Sequence, residues 1–212
     1  MGNGVFITFE GTEASGKSTQ IKLLGEYLEK KGYDIALTRD PGGTRVGDKI
    51  RKILLNPSLK EIDFKLEALL YASSRAQLIS EVIQPSLSEN KVVICDRYID
   101  SSLAYQVFGR GLPYNMIYEL NQWATGDIWP DITFWMALKP EVAEERKELS
   151  DRMEKSGIQF HKKVFEGYEK LIKNFPDRIK KINALKDIGQ IHKEIVTILE
   201  KGEYLKKYDN KN

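Results

Sequence analysis

Short apolar runs alternate with amphipathic stretches along the chain, and the alternation predicts strands separated by helices. Val5-Phe6-Ile7-Thr8-Phe9 reads as a buried strand. Ser18 to Lys31 reads as a helix, with Ile21, Leu24 and Leu28 on one face and Gly32 just past its end. Ile35-Ala36-Leu37 is a second strand, broken by Asp40-Pro41-Gly42-Gly43, and Val46 to Leu55 is a helix that stops before Asn56-Pro57. A longer helix is expected from Phe64 to Ile83, ended by Pro85, then a third strand over Val92-Val93-Ile94-Cys95. Ser101 to Phe108 and Tyr114 to Ala124 read as helices separated by Gly109, Gly111 and Pro113, and Ile132 to Leu138 as the fourth strand. Glu141 to Lys155 is highly charged with almost no apolar face. A helix from His161 to Phe175, a fifth strand from Ile179 to Ile182 and a helix from Ile188 to Leu199 follow, and the charged tail 201–212 is expected to fray. Near-continuous apolar strands joined through helices mean an α/β fold, a parallel sheet covered on both faces. No internal repeat, low-complexity tract or linker divides the 212 residues, which suit one domain with a small mobile flap.

Charge narrows the picture. The 33 basic and 31 acidic residues leave a formal net charge of +2, too small an excess for general nucleic-acid binding, which wants a basic stripe. A small anionic ligand held by a few local arginines remains compatible with it. Cys95 is the only cysteine, so no internal disulfide is available, and with two histidines no zinc site is expected. Met1 leads almost directly into a strand-like run, so no signal peptide is read, and no apolar run approaches the roughly 20 residues of a membrane span. A cytoplasmic protein with no membrane partner is the expectation.

The chemistry begins at Gly11-Thr12-Glu13-Ala14-Ser15-Gly16-Lys17-Ser18, followed by Thr19, which matches G-x-x-x-x-G-K-[ST] between a strand and a helix. Glycines at both ends let the backbone wrap phosphates with its N–H groups pointing inward, and the helix that follows adds the positive end of its dipole. In such a loop Lys17 is expected to reach the β- and γ-phosphates of ATP, and Ser18 to ligate Mg²⁺. The motif does not name the reaction, because GTPases, transport ATPases and small-molecule kinases all use it.

Three further segments fall at predicted strand ends, where an open parallel sheet places its ligands. They are Thr38-Arg39-Asp40-Pro41-Gly42-Gly43-Thr44, Asp96-Arg97-Tyr98, and Ser101-Ser102-Leu103-Ala104-Tyr105-Gln106. An arginine directly after a buried strand suits a phosphate clamp, since its fork matches phosphate oxygens, and Asp96 ends that strand where a Mg²⁺-side carboxylate belongs. Tyr71 and Arg75 are four apart and share a helix face.

With Phe9-Glu10-Gly11, these segments resemble the thymidylate kinase family, from about residue 5 to 126 and again at Pro140-Glu141, Asp151-Arg152 and Gly167-Tyr168. The resemblance implies a P-loop kinase fold with a five-stranded parallel sheet and a short LID at about 140–156. It implies transfer of the γ-phosphoryl of ATP to dTMP, with Mg²⁺, in a homodimer. It implies that Tyr71 stacks on thymine and Arg75 bonds the base edge, that Tyr105 lies beside the sugar and Gln106 near the base, and that Ser102 occupies a base-contact position. Glu13 matches a loop carboxylate near the acceptor sugar and the metal, and Arg97 and Arg39 are expected to hold acceptor phosphate.

None of the four variable loop residues, Thr12, Glu13, Ala14 and Ser15, is basic. Phosphoryl transfer spreads negative charge over equatorial oxygens, so a cation is needed there. The chain resembles relatives that supply it from a flap closing over ATP, for which Arg146, Lys147 and Arg152 are available, with Arg152 in the family's place. The competing reading of that stretch is a solvated helix laced with pairs such as Glu148 with Arg152. Two other functions stay in play: a kinase for a different nucleoside monophosphate, and a non-catalytic nucleotide sensor, which would have no use for an acceptor clamp.

Overall fold

The computed structural model describes residues 4–146 and 151–205. Five strands, β1 (Val5–Glu10), β2 (Ile35–Arg39), β3 (Val92–Asp96), β4 (Ile132–Ala137) and β5 (Ile179–Asn183), form one sheet in the order β2-β3-β1-β4-β5, with every pair parallel. The two-residue side-chain period sorts the apolar positions into two cores. Phe6, Val93, Cys95 and Trp135 point to one face, while Val5, Ile7, Phe9, Ile94 and Phe134 point to the other. The second face is covered by α1 (Lys17–Lys30) and α9 (Ile188–Lys201), which pack on each other and on the sheet. The first is covered by α3 (Phe64–Leu78), α6 (Tyr114–Thr125) and α8 (Ile158–Asn174), with α2 (Arg45–Leu55) lying against α3. The sequence pattern therefore predicts the architecture correctly: a five-stranded parallel sheet with helices on both faces.

Four local expectations are corrected. Pro85 does not end the long helix: after α3 the chain continues as a π-helical turn, Ile79–Ile83, and then α4 (Gln84–Ser88) with Pro85 near its start. The wider turn, closed by Gln84 N–H to the Ile79 carbonyl, moves the preceding carbonyls out from under the proline ring. The helix expected from Ser101 begins at α5 (Ile99–Ser102) and is π-helical from Leu103 to Gly109. The charged stretch after Pro140 does bury apolar groups: α7 (Pro140–Glu145) tucks in Ala143, and Met153 is 6 % exposed. In the tail, Leu205 packs into the core beside α9, while residues 206–212 lie outside the described residues. Among the described residues, no helix is long and apolar enough to cross a membrane.

Packing between α8 and the π-helical segment fixes the wall that later carries Tyr105. Gly167 sits where α8 crosses Phe108, and a Cβ there would come within 2.6 Å of the Phe108 ring and 2.8 Å of its Cβ. Neither atom is the free end of a flexible chain, so the helix must move. Gly167→Ala is expected to destabilise the fold by about 1–3 kcal/mol despite its better helix propensity. Urea unfolding measures this, and a variant as stable as the parent would show that the crossing tolerates the methyl group.

Candidate active site

The carboxyl ends of β2, β3 and β1 lie side by side, with Arg39 opposite Asp96 and Phe9 opposite Asp96. The phosphate loop, the segment from Arg39 to Thr44 and the turn at Arg97 leave the sheet at this edge. Gly11 has φ +135°, and a Cβ there would meet the Met136 carbonyl oxygen at 2.6 Å, so only glycine lets the loop pass under β4. Gly16 caps α1 in the left-handed region, and Ala14 is left-handed as well, with φ 57°. Such turns aim successive N–H groups into one concavity at the positive end of a helix. Ser15 Oγ braces the loop by donating to the Thr12 carbonyl at 2.7 Å. Lys17 is 5 % exposed, and its Nζ lies across the loop, donating to the carbonyls of Thr12 at 2.8 Å and Gly11 at 3.2 Å. Burial first, and the charge of Arg97 second, pull the Lys17 pKa below its ordinary value. An anion beside it would offset both effects by favouring the charged ammonium.

Two cavities meet over this loop. The first is bordered by Ala14, Gly16, Thr19, Arg146 and Ile188. The second contains Thr12, Glu13, Tyr71, Arg97, Tyr105 and Gln106, and Arg75 and Ser102 line its floor. A shallower groove holds Ser18, Thr38, Arg39 and Asp96.

Arg97 stands between the loop and the second cavity. Its φ of 68° is left-handed, which costs a non-glycine residue about 1–2 kcal/mol, and neighbouring contacts hold it there. Its N–H bonds the Phe9 carbonyl at 2.8 Å, and the next N–H, of Tyr98, bonds Glu10 Oε1 at 2.8 Å. The guanidinium reaches Glu13 Oε1 at 2.7 Å, Ser101 Oγ at 3.3 Å and the Tyr105 hydroxyl at 3.4 Å. Arg97, aided by Lys17, holds the Glu13 carboxyl down at about 2.

Arg75 is 1 % exposed and heavily committed: Nε donates to Asp40 Oδ2 at 2.5 Å, Nη1 to Ser102 Oγ at 3.0 Å and to Asn121 Oδ1, and Nη2 to the Tyr98 carbonyl at 3.2 Å. A guanidinium has five N–H donors, so these four contacts leave one Nη2–H for the cavity. Asp40 and Asn121, which fix that orientation, were not among the residues singled out from sequence; Asp40 lay within a highlighted segment, whereas Asn121 gave no signal.

Two expected residues are not brought to the places assigned to them. Arg39 lies in the outer groove, ion-paired with Asp48 at 3.1 Å, because an edge strand turns alternate side chains away from the cavity. Arg51 of α2 faces the second cavity instead, anchored to the Pro41 carbonyl at 2.9 Å, and it helps depress the Glu13 carboxyl. Arg152 does not point at the phosphate loop. It is docked on buried Glu67 of α3, Nη2 to Oε2 at 2.7 Å, and its Nε donates to the Leu54 carbonyl at 2.7 Å. A buried carboxylate and the carbonyl end of a helix outcompete solvent for its charge. Arg146 borders the first cavity, beside the loop. Lys147 and Glu148 lie outside the described residues.

A family model for thymidylate kinase matches residues 9–195. The thymidylate kinase of Caldanaerobacter subterraneus subsp. tengcongensis is 48 % identical over 206 residues, covering 96 % of this chain and 97 % of the relative. That of Exiguobacterium sp. is 46 % identical, covering 92 % and 93 %. Among solved structures, thymidylate kinase from Ehrlichia chaffeensis superposes with a TM-score of 0.78 at 34 % identity, over 94 % of this chain and 100 % of that one.

Glu10 supports the site from beneath and gives it a pH signature. Its carboxylate is fully buried and accepts from the N–H groups of Tyr98 (2.8 Å) and Ser101 (3.2 Å), from Ser101 Oγ (2.5 Å) and from Tyr168 OH (2.8 Å). Burial, with the nearby charge of Asp100, outweighs those donors and pushes its pKa up from 4.5 to about 7. The folded state therefore holds a proton between pH 4.5 and 7 that the unfolded state has released, so stability falls as pH rises through that window. The Glu10 contribution to that fall is expected to be about 1–3 kcal/mol. Glu10→Gln should remove it, so the stability difference between variant and parent should move in the variant's favour from pH 5 to pH 8. An unchanged difference in urea unfolding would mean that Glu10 is ionised throughout.

Proposed function

The chain belongs to the thymidylate kinase family, and from that premise we propose that it transfers the γ-phosphoryl group of ATP to dTMP, giving dTDP and ADP. One observation carries the reading. The segment Thr12 to Gly16 borders both cavities, Thr12 and Glu13 facing one and Ala14, Ser15 and Gly16 the other. Two nucleotides bound on either side bring their phosphates together over a single loop, as transfer between them requires.

The geometry supports the following roles. The loop N–H groups, Ser15, Lys17 and Thr19 hold the ATP phosphates, with the nucleoside beside Ile188. In the second cavity Tyr71 offers its ring face to the thymine. The remaining Nη2–H of Arg75 is a donor, suited to a thymine carbonyl and unsuited to the amino group of cytosine. Ser102 and Gln106 line the same end, and Tyr105 packs where the sugar lies. Arg97 and Arg51 converge on the acceptor phosphate. An acceptor oxygen then attacks the γ-phosphorus as its bond to the β–γ bridging oxygen breaks, and ADP leaves. Lys17 and Arg97 stabilise the charge on the transferring group, and Arg146 is the flap cation nearest to it.

Mg²⁺ fits this site. Ser18 and Asp96 share one groove, and Asp96 Oδ1 is a buried oxygen with no hydrogen-bond partner among the described residues. Ser18 and Asp96 would hold the ion, which would supply positive charge against the phosphates during transfer. No group of three or more His, Cys, Asp or Glu residues suited to a metal occurs among the described residues, in keeping with an ion held mainly by its nucleotide. We place the enzyme in the cytoplasm, where its buried Cys95 thiol stays reduced.

A homodimer is the assembly we propose. Leu66 and Leu69, three apart on α3, are 47 % and 48 % exposed on the side of the helix away from the acceptor cavity. Sedimentation velocity is expected to give a dimer of the 24.3 kDa chain, and Leu69→Asp a monomer; a monomeric parent would refute the assembly.

The activity is tested by a coupled ADP-release assay across nucleoside monophosphates. dTMP should be the best acceptor, dUMP slower, and dCMP, dAMP and dGMP poor. Lys17→Ala should keep its melting temperature and lose more than about nine-tenths of kcat. A panel with dCMP or dGMP ahead of dTMP would refute the acceptor, and near-parental activity of Lys17→Ala would remove that lysine from the reaction.

A further inference from the structure

Glu67 is 0 % exposed in the first turn of α3, one turn before Tyr71, and its carboxylate is the meeting point of three side chains from two other parts of the chain. Gln106 Nε2 donates to Oε1 at 3.0 Å. Arg110 spans both oxygens, Nε to Oε1 at 3.2 Å and Nη2 to Oε2 at 3.1 Å. Arg152 Nη2 approaches Oε2 at 2.7 Å. Arg152 also grips the end of α2: its Nε donates to the Leu54 carbonyl at 2.7 Å and its backbone N–H to the Leu55 carbonyl at 3.3 Å. Those are carbonyls of the last helical turn, which lack intrahelical partners and sit at the negative end of the helix dipole.

Each arm of this cluster ends at the acceptor cavity. Leu55, Tyr71, Gln106 and Met153 all line it: Leu55 and Gln106 bond Arg152 and Glu67, Met153 follows Arg152, and Tyr71 lies one helical turn after Glu67. We propose that Glu67 and Arg152 form a latch that fastens the second half of the flap region to α2 and α3 and so sets the shape of the dTMP site. Arg152 is on this account a positioning residue that acts through Glu67 and α2, and it does not touch the transferring phosphoryl group. The inference rests on the dTMP reading given above.

The charges make the two ends of the latch unequal. Glu67 alone faces two guanidiniums. Removing Arg152 leaves the buried carboxylate still paired with Arg110, whereas removing Glu67 leaves two cations together without their carboxylate. Arg152 is therefore the end to vary. A lysine in its place can reach the carboxylate or the Leu54 carbonyl with one ammonium, but cannot hold both as the planar fork does.

The test uses the full chain, with calorimetric affinities for dTMP and, separately, for the non-hydrolysable β,γ-imido analogue of ATP, alongside steady-state kinetics. Arg152→Ala is expected to weaken dTMP by about tenfold or more while the analogue stays within about twofold and kcat at saturation within about fivefold. Arg152→Lys should fall between parent and alanine, and it is scored by the same split should the alanine variant fail to fold. Arg146→Ala should behave oppositely, losing kcat by about a hundredfold or more with dTMP affinity kept. Unchanged dTMP affinity in Arg152→Ala overturns the latch. So does equal weakening of both ligands, which marks general structural damage, and so does a hundredfold fall in kcat with dTMP affinity kept. A parent that binds the ATP analogue but not dTMP refutes the substrate reading instead, so the two failures are told apart.

Discussion

The ion pair between Arg97 Nη2 and Glu13 Oε1, 2.7 Å long, joins the phosphate loop to the cavity lined by Tyr71, Tyr105 and Gln106. Glu13 belongs to the phosphate loop and Arg97 to the turn after β3, so the contact fixes the loop against the end of the sheet, and on the proposed reading it spaces the two phosphate sites. It requires a left-handed arginine, and the structure holds that residue by bonding the N–H groups at 97 and 98 to β1, one to the Phe9 carbonyl and one to the Glu10 carboxylate. Glu10 is buried for this reason, and Ser101 and Tyr168 are turned inward to satisfy it. A chain of polar contacts thus runs from the sheet through Glu10 and Ser101 to the guanidinium. The energy that holds a strained backbone and an unfavourably buried carboxylate comes from the apolar faces of the sheet, which are large enough to carry both.

What was legible in the sequence was what depends on backbone and immediate neighbours. The phosphate loop could be read because its chemistry is that of consecutive N–H groups, which need particular residues at fixed spacing. The strands could be read because burial on both faces leaves unbroken apolar runs, and Arg97 because a charged residue directly after such a run has to sit at the sheet edge. Tyr71 and Arg75 share a helix face by simple periodicity, and the cavity uses both.

Residues whose position depends on how one element is rotated against another were not legible in the same way. Arg39 and Arg51 lie on either side of the same Pro-Gly-Gly turn, and nothing local says which faces the cavity; the edge position of β2 decides it. Arg152 was placed on the phosphates because the loop needs a cation and that arginine stood in the family's position. Its ion-pair partner in the structure, Glu67, lies 85 residues away in the chain and looks in sequence like one more helix acid. The π-helical turn at Leu103–Gly109 was read as α-helix because seven residues are too few to separate the two periods. That turn carries Tyr105 and Gln106, so the error fell where the fold departs from regularity to serve the site.

Phosphorus-31 NMR of a mixture containing equal amounts of ATP, dTMP and enzyme with Mg²⁺ tests the central claim most directly, since it follows the transferred atom itself. The account predicts that the γ-phosphate signal of ATP declines as the β-phosphate signal of dTDP rises in equal measure, with no reaction when dTMP is left out. Release of inorganic phosphate in place of dTDP, at the same rate with or without dTMP, would contradict it: the loop would then be a hydrolase or sensor site, and the second cavity would have no part in the chemistry.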